Sequence, residues 1–263
     1  CFSHSPIFSL KGKSLAMQTS SFPHTDRTVS RLGFGCMRFP TIEKDGKKVI
    51  DRPQAIAMLR HAIDSGVTYV DTAYPYHDGE TVVGLALQDG YRDRVTLTTK
   101  LPLWLLETKA DMQRFLDEQL TKLKTDHVDF YLLHAMDKEA LEKMRKLDYP
   151  EFLEKAVNAG KVHYPGFSFH DDHKTFVEIL NDYDWKLAQV QINVLDGDCR
   201  ASGTPVKRAW ASLSWSPYAA ARWPTRRRKR RIYTSLSRKS VPPWNGLSVT
   251  CTICPRWSPS SAV

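Results

Sequence analysis

No acidic residue follows Asp198. All 29 Asp and Glu lie at or before that position, and the 65 residues after it hold 13 Lys and Arg with no opposite charge. The formal charge of +9 therefore averages two unlike parts, because the first 198 residues carry 25 basic against 29 acidic side chains, a balance of −4. Long apolar runs are also missing. No stretch reaches the roughly 18 residues of a helical membrane span, so no membrane partner is expected, and residues 1–16 lack the continuous apolar core of a secretory signal. Cysteine is sparse, with five residues at 1, 36, 199, 251 and 254. Only Cys251-x-x-Cys254 has a close spacing, and a lone pair in an aperiodic tail carries little weight, so no metal site is expected. Scattered thiols and the missing signal favour a cytoplasmic protein. Glycine is short where a dinucleotide-binding turn would need it: Gly33-x-Gly35 has no third glycine behind it, which counts against an open doubly wound sheet.

What is present is an alternation. Val67–Val70 leads into DTAYPYH at 71–77, Val95–Thr99 ends on Lys100, and Val128–Leu133 ends on His134. These runs are too short for helices and rich in β-branched and aromatic residues, so they predict strands. Between them, Gln54–Ser65 keeps Ala55, Met58, Leu59, Ala62 and Ile63 on one helical face, and Asp111–Lys124 does the same with Met112, Phe115, Leu116, Leu120 and Leu123. The pattern continues with a helix at 151–159, a strand at 163–169, a helix at 173–181 and a strand at 187–194. With Arg31–Met37 as an opening strand, six βα units are expected. Repeats of this length imply a parallel sheet, and their number favours a (β/α)8 TIM barrel of the α/β class. The loops after barrel strands carry the active site, so Asp71, Tyr76, Lys100 and His134, each at or just past a strand end, are the candidate catalytic residues. Taken singly, each has a plainer reading: a loop cap for Asp71, a strand-end lysine for Lys100, a packed imidazole for His134.

The basic tail breaks the pattern. Five of the seven tryptophans fall after position 198, among Ser, Pro and Arg, and no apolar period survives there. Read literally, Arg226–Arg231 is a run of six cations on a disordered arm, a candidate nucleic-acid patch. A second reading fits the fold better. Codons can be chosen for Ser214–Lys229 so that translation from the third base of the first codon yields MEPLRGGALANPPEEAK, a strand, a glycine turn and an acidic helix start. The same operation on Val241–Ala262 can yield an amphipathic helix and an apolar strand. The expected organisation is thus an extraneous upstream segment at 1–16 before a start at Met17, barrel strands one to six within 17–198, and a frameshifted, disordered tail at 199–263. Strands seven and eight would then be lost, leaving two unpaired edges and an open core, with poor solubility or weak cofactor binding. No nucleic-acid partner is expected on this reading.

Six segments, RLGFGCMRFP at 31–40, GVTYVDTAYPYHDGE at 66–80, LTTK at 97–100, DFYLLH at 129–134, GFSFHD at 166–171 and VQIN at 190–193, resemble the aldo-keto reductases in kind and order. The out-of-frame MEPLRGG is similar to that family's seventh strand, in the bacterial and archaeal branch whose members often end in a ferredoxin-like iron-sulfur segment. The resemblance implies a monomeric barrel that reduces aldehydes or ketones, or oxidises alcohols, with NADPH, or NADH as the second option, and a small carbonyl compound as substrate. It implies that Tyr76 donates the proton, Lys100 is the cation beside it, Asp71 holds that lysine and His134 orients the carbonyl. The ammonium is expected to lower the phenol's pKa. It further implies cofactor contacts from Gly35, Cys36, Asp71, Ser168 and Gln191. The family commonly follows that serine with asparagine, whereas this chain has Phe169 and then His170. A nicotinamide-binding redox-sensing subunit of the same architecture would keep the same four catalytic-type residues.

Overall fold

A short antiparallel hairpin precedes the barrel in the computed structural model, which describes residues 16–22, 24–191, 211–215 and 250–254; of Gln191 and the last two segments only the backbone is described. Strands β1 (Thr19–Ser21) and β2 (Thr28–Ser30) pair Ser20 with Val29. Phe22 in their connection is 2% exposed and packs edge-on against Tyr69 and Phe130, at ring separations of 6.1 and 5.3 Å. The hairpin thereby closes the barrel floor, and burying such a ring contributes about 1.5–3 kcal/mol.

The opening strand is shorter than expected. β3 spans Leu32–Gly35, and Cys36–Arg38 turn into a single 3-10 turn. A second hairpin, not among the expected elements, follows as β4 (Thr41–Lys44) and β5 (Lys47–Ile50). Its two-residue turn is Asp45-Gly46 with φ of 51° and 70°, the positive angles that Asp-Gly tolerates in a tight hairpin. Helix α1 (Arg52–Asp64) starts where the Asp51 side chain accepts a hydrogen bond from the Gln54 amide and Pro53 sits in the first turn. It buries Ala55, Leu59 and Ile63, three of the five residues of the expected face.

Then come β6 (Tyr69–Asp71), α2 (Gly79–Ala86), β7 (Thr96–Leu101), α3 (Lys109–Leu123) and β8 (Val128–Met136). They are followed by α4 (Lys138–Lys146), α5 (Tyr149–Asn158), β9 (Val162–Phe169), α6 (His173–Asp182) and β10 (Leu187–Gln191). Helix α3 carries a capping box between Thr108 and Asp111. Helices α2 and α4 were not expected; both are under ten residues. Gly84 lets α2 press onto α3, since a Cβ there would stand 2.3 Å from the Lys122 carbonyl oxygen.

Strands β3, β6, β7, β8, β9 and β10 run parallel in that order. The expected loss of a seventh and eighth βα unit takes a particular form. β11 (Ala211–Trp215) lies parallel to β10, while β12 (Thr250–Cys254) runs antiparallel to both β11 and β3, and together they close the ring. The edges of β10 and β3, expected to be unpaired, thus carry the backbones of β11 and β12. An edge of unpaired N–H and C=O groups is satisfied by any strand-forming backbone, whatever its direction. Arg226–Arg231, Cys1, Cys199 and residues 192–194 of the expected last strand lie outside the described residues, as do the side chains of Cys251 and Cys254. Among the described residues no helix is long and apolar enough to cross a membrane.

Candidate active site

Strands β6, β7, β8 and β9 deliver Asp71, Lys100, His134 and Ser168 to the C-terminal rim. Asp71 closes β6, opposite Gly35 of β3 and Thr98 of β7, and Lys100 stands near the end of β7 opposite Leu132 of β8. Both are almost fully buried, at 4% and 1% exposure. Lys100 Nζ donates to Asp71 Oδ1 at 2.7 Å, to Oδ2 at 2.8 Å and to the Thr72 carbonyl at 2.8 Å. Burial is the largest single influence on this lysine and lowers its pKa, but the charges of and hydrogen bonds to Asp71 and Tyr76 together outweigh it and hold the pKa above the ordinary value. A fixed ammonium results, 5.2 Å from the centre of the Tyr76 ring.

Tyr76 lies in the loop between β6 and α2, its carbonyl accepting the Gly79 amide at 2.8 Å. Here an expectation is corrected. Burial pushes the phenol pKa up, and the pull of Lys100 does not overcome it. Tyr76 therefore keeps its proton at neutral pH, with the Lys100 ammonium beside its ring.

His134 reaches the site through a break in the strand. Pairing of β8 with β9 slips between Leu133 and Met136, and Ala135 takes a left-handed φ of 54°, the kind of bulge that re-aims a side chain beside a site. The slip is pinned by the Ala135 amide, which donates to Ser168 Oγ at 2.7 Å. The His134 ring stands edge-on to Tyr76 at 6.2 Å and tilted against Trp104 at 5.2 Å. Its Nδ1 is buried with no hydrogen-bond partner. Burial first, then the charges of Lys100 and His170, lower its pKa to about 3, so the ring is neutral across the physiological range.

Asp71, Tyr76, Lys100 and His134 line one pocket together with Ser168, His170, Gln189 and Val190, around about 320 Å³ of space counting its open mouth. The four expected catalytic side chains and Ser168 are brought together. Gly35 and Cys36 are not on that lining; the Cys36 thiol is buried, and burial followed by the Asp71 charge raises its pKa well above normal. Gln191 ends β10, with its side chain outside the described residues. Sequence reasoning missed His170 and Gln189. A signal existed, because period-two alternation puts 170 on the face of Ser168 and 189 on the face of Gln191.

A buried polar cluster supports Lys100 from behind. Glu80 Oε1 accepts from Thr99 Oγ1 and from Gln119 Nε2, both at 2.6 Å; Gln119 Nε2 also donates to the Lys100 carbonyl at 3.1 Å, and Tyr131 donates to Gln119 Oε1 at 2.7 Å. It ties α2 and α3 to the strand bearing the lysine. At the barrel floor, His127, Asp129 and His163 hold three potential metal-binding atoms within 4.8 Å of one another. Both Asp129 oxygens are engaged there by Arg27 at 2.8 Å and Arg92 at 3.0 Å, and His163 Nδ1 lies 3.0 Å from Arg27 Nη2. The cluster is built around guanidinium groups.

Residues 31–204 match the model of the Aldo/keto reductase family. The chain belongs to that family. Aldo-keto reductase YhdN of Bacillus subtilis (strain 168) is 32% identical over 167 residues, which cover 58% of this chain and 47% of that protein. This family member therefore spans about half the length of the curated relative. Among solved structures, an aldo-keto reductase from Klebsiella pneumoniae in complex with NADPH is 32% identical with a TM-score of 0.52, covering 68% of this chain and 59% of that one. The holo form of aldo-keto reductase AKR11C1 from Bacillus halodurans has 25% identity and a TM-score of 0.55, covering 67% and 58%. The matched residues span the six parallel strands, five of which, β6 to β10, carry the pocket lining.

Proposed function

We propose that this chain carries the catalytic half of an NADP(H)-dependent carbonyl reductase. The reading rests on one observation: a buried, doubly bonded Asp71–Lys100 pair faces the same pocket as the Tyr76 phenol and the neutral His134 ring. The polar lining suits a nicotinamide, since Ser168, Gln189 and the unpartnered His134 nitrogen present hydrogen-bonding groups to a space at a barrel rim. A bound reduced nicotinamide would supply the hydride. The protein's part is the proton and the field. Tyr76 gives its proton to the carbonyl oxygen as negative charge builds there, Lys100 stabilises the phenolate left behind, and Asp71 keeps Lys100 charged. His134, neutral, donates a hydrogen bond that orients the carbonyl. In the aldo-keto reductase pattern the adenosine-phosphate end of the cofactor is held by the seventh and eighth units, so we further propose that residues 199–263 are read out of frame and that the chain as it stands binds NADPH weakly. The nucleotide sequence around codons 196–210 tests that part by showing one inserted or deleted base.

Multiple-turnover oxidation of NADPH with small aldehydes and ketones tests the reductase reading on the chain with its frame restored. Tyr76→Phe should lower turnover by about 10²–10⁴-fold, the range for a positioned general acid, with NADPH affinity within about threefold of the parent. Undiminished turnover would remove Tyr76 from the mechanism.

A further inference from the structure

Lys100 is held at both ends, its ammonium by Asp71 and Thr72 and its peptide by a glutamine. Alternation along β7 turns the lysine side chain into the pocket and that of Thr99 outward, onto Glu80 of α2. The pairing of β7 with β6 ends at Asp71 and Thr98, two residues before Lys100. Gln119 of α3 secures the strand beyond that point. Its Nε2 donates to the Lys100 carbonyl at 3.1 Å, and it also reaches Glu80 Oε1 at 2.6 Å and Thr99 Oγ1 at 3.1 Å. The amide can face only one way: its oxygen accepts from the Tyr131 hydroxyl at 2.7 Å, and a flip would set that oxygen against the Lys100 carbonyl, which has no hydrogen to give.

We infer that Gln119, aligned by Tyr131 and Glu80, is a positioning residue for the proposed reduction: it fixes the Lys100 peptide so that the ammonium keeps its three acceptors beside Tyr76. This rests on the roles given to Lys100 and Tyr76 above. The acceptors are Asp71 Oδ1, Asp71 Oδ2 and the Thr72 carbonyl, at 2.7, 2.8 and 2.8 Å from Nζ. A strand shift of roughly 0.5 Å already degrades such a fit. Thr99, Gln119 and Tyr131 are each 0% exposed and Glu80 is 2% exposed, so removing one member leaves the others short of a partner where water does not replace it. Glu80 Oε2 is different, since it has no partner. An amide nitrogen in its place breaks no bond.

The test reads Lys100 itself, on the full 263-residue chain without cofactor. A buried ammonium with three acceptors exchanges its hydrogens slowly enough to give a proton–nitrogen NMR correlation at Nζ, assigned by its loss in Lys100→Met. Gln119→Leu should speed exchange of that signal with water by at least about tenfold, the equivalent of one hydrogen bond. The Leu97 amide, bonded to Asp129 on the same strand, should exchange at the parent rate. Tyr131→Phe removes a single oxygen and serves where Gln119→Leu does not fold, with an expected rise of at least about threefold. Glu80→Gln keeps the accepting oxygen and should stay within about twofold of the parent. Equal acceleration at Lys100 and Leu97 would reduce Gln119 to general stability and overturn the proposal. So would a Lys100 signal that neither variant changes, or one that the parent never shows. A loosened Lys100 in Gln119→Leu, with turnover undiminished when that variant is made in the frame-restored chain, would instead bring down the part that the reductase reading gives to Lys100.

Discussion

Two buried carboxylates sit at opposite ends of this barrel, and their surroundings differ in a way that separates chemistry from architecture. Asp129 at the floor is 2% exposed and saturated, with Arg27 on one oxygen and Arg92 and the Leu97 amide on the other. Asp71 at the rim is nearly as buried and also holds a cation, but it faces an open pocket shared with the Tyr76 phenol and with an imidazole nitrogen that has no partner. Native interiors pair their polar groups, so an unpaired one beside a cavity marks where a ligand completes it. The floor uses charge to lock the hairpin that carries Arg27 onto the barrel. On the reading proposed above, the rim uses it to hold a proton donor ready.

The contrast can be sharpened by experiment. Asp129→Asn strands two guanidinium groups beside a buried amide, and chemical denaturation should show a loss of about 3 kcal/mol, the low end for breaking a buried pair because both arginines keep some solvent contact. A loss under about 1 kcal/mol would mean the floor pair is idle. The next effect concerns pH. His134 has a folded pKa of about 3, below its unfolded value of roughly 6.5, so between these values the unfolded chain binds the extra proton. The stability it contributes is fully present above about pH 6.5 and is lost as pH falls towards 3. Melting curves from pH 7 to 4 should therefore fall less steeply for His134→Gln, by up to about 1.4 kcal/mol per pH unit. Parallel slopes would show that the ring is protonated in the folded state. The smallest effect belongs to Ala135→Gly. It removes a left-handed alanine and should stabilise by about 0.5 kcal/mol once the entropy of glycine in the unfolded chain is subtracted; a destabilisation above about 1 kcal/mol would show that the bulge is unstrained.

Much of the rim was legible in the chain because a parallel strand declares itself twice, by an apolar run and by the polar residue that ends it. Lys100 and His134 were readable in that way, and Asp71 and Tyr76 by their spacing. The direction of the Tyr76 pKa was not, since it depends on how much of the ring is buried, which no local pattern encodes. The same holds for Glu80 and Gln119: each sits in a helix where a polar residue reads as solvent-facing, and only the packing of α2 and α3 against β7 turns them inward. His170 and Gln189 were visible as alternation but lacked a reason to be chosen until the pocket brought them together. The Asp45-Gly46 hairpin was the plainest signal passed over. At the other end of the chain, aperiodic sequence concealed two strands, because what β11 and β12 supply to the ring is backbone pairing.

The most direct test of the division between rim and floor is the turnover number of Asp71→Asn set beside that of Asp129→Asn, in the frame-restored chain with saturating NADPH and one aldehyde. Asp71→Asn should lose at least about 100-fold, because Lys100 no longer holds its charge beside Tyr76, while folded Asp129→Asn stays within about threefold of the parent. Equal losses in the two variants, or an Asp71→Asn protein that turns over normally, would contradict the account.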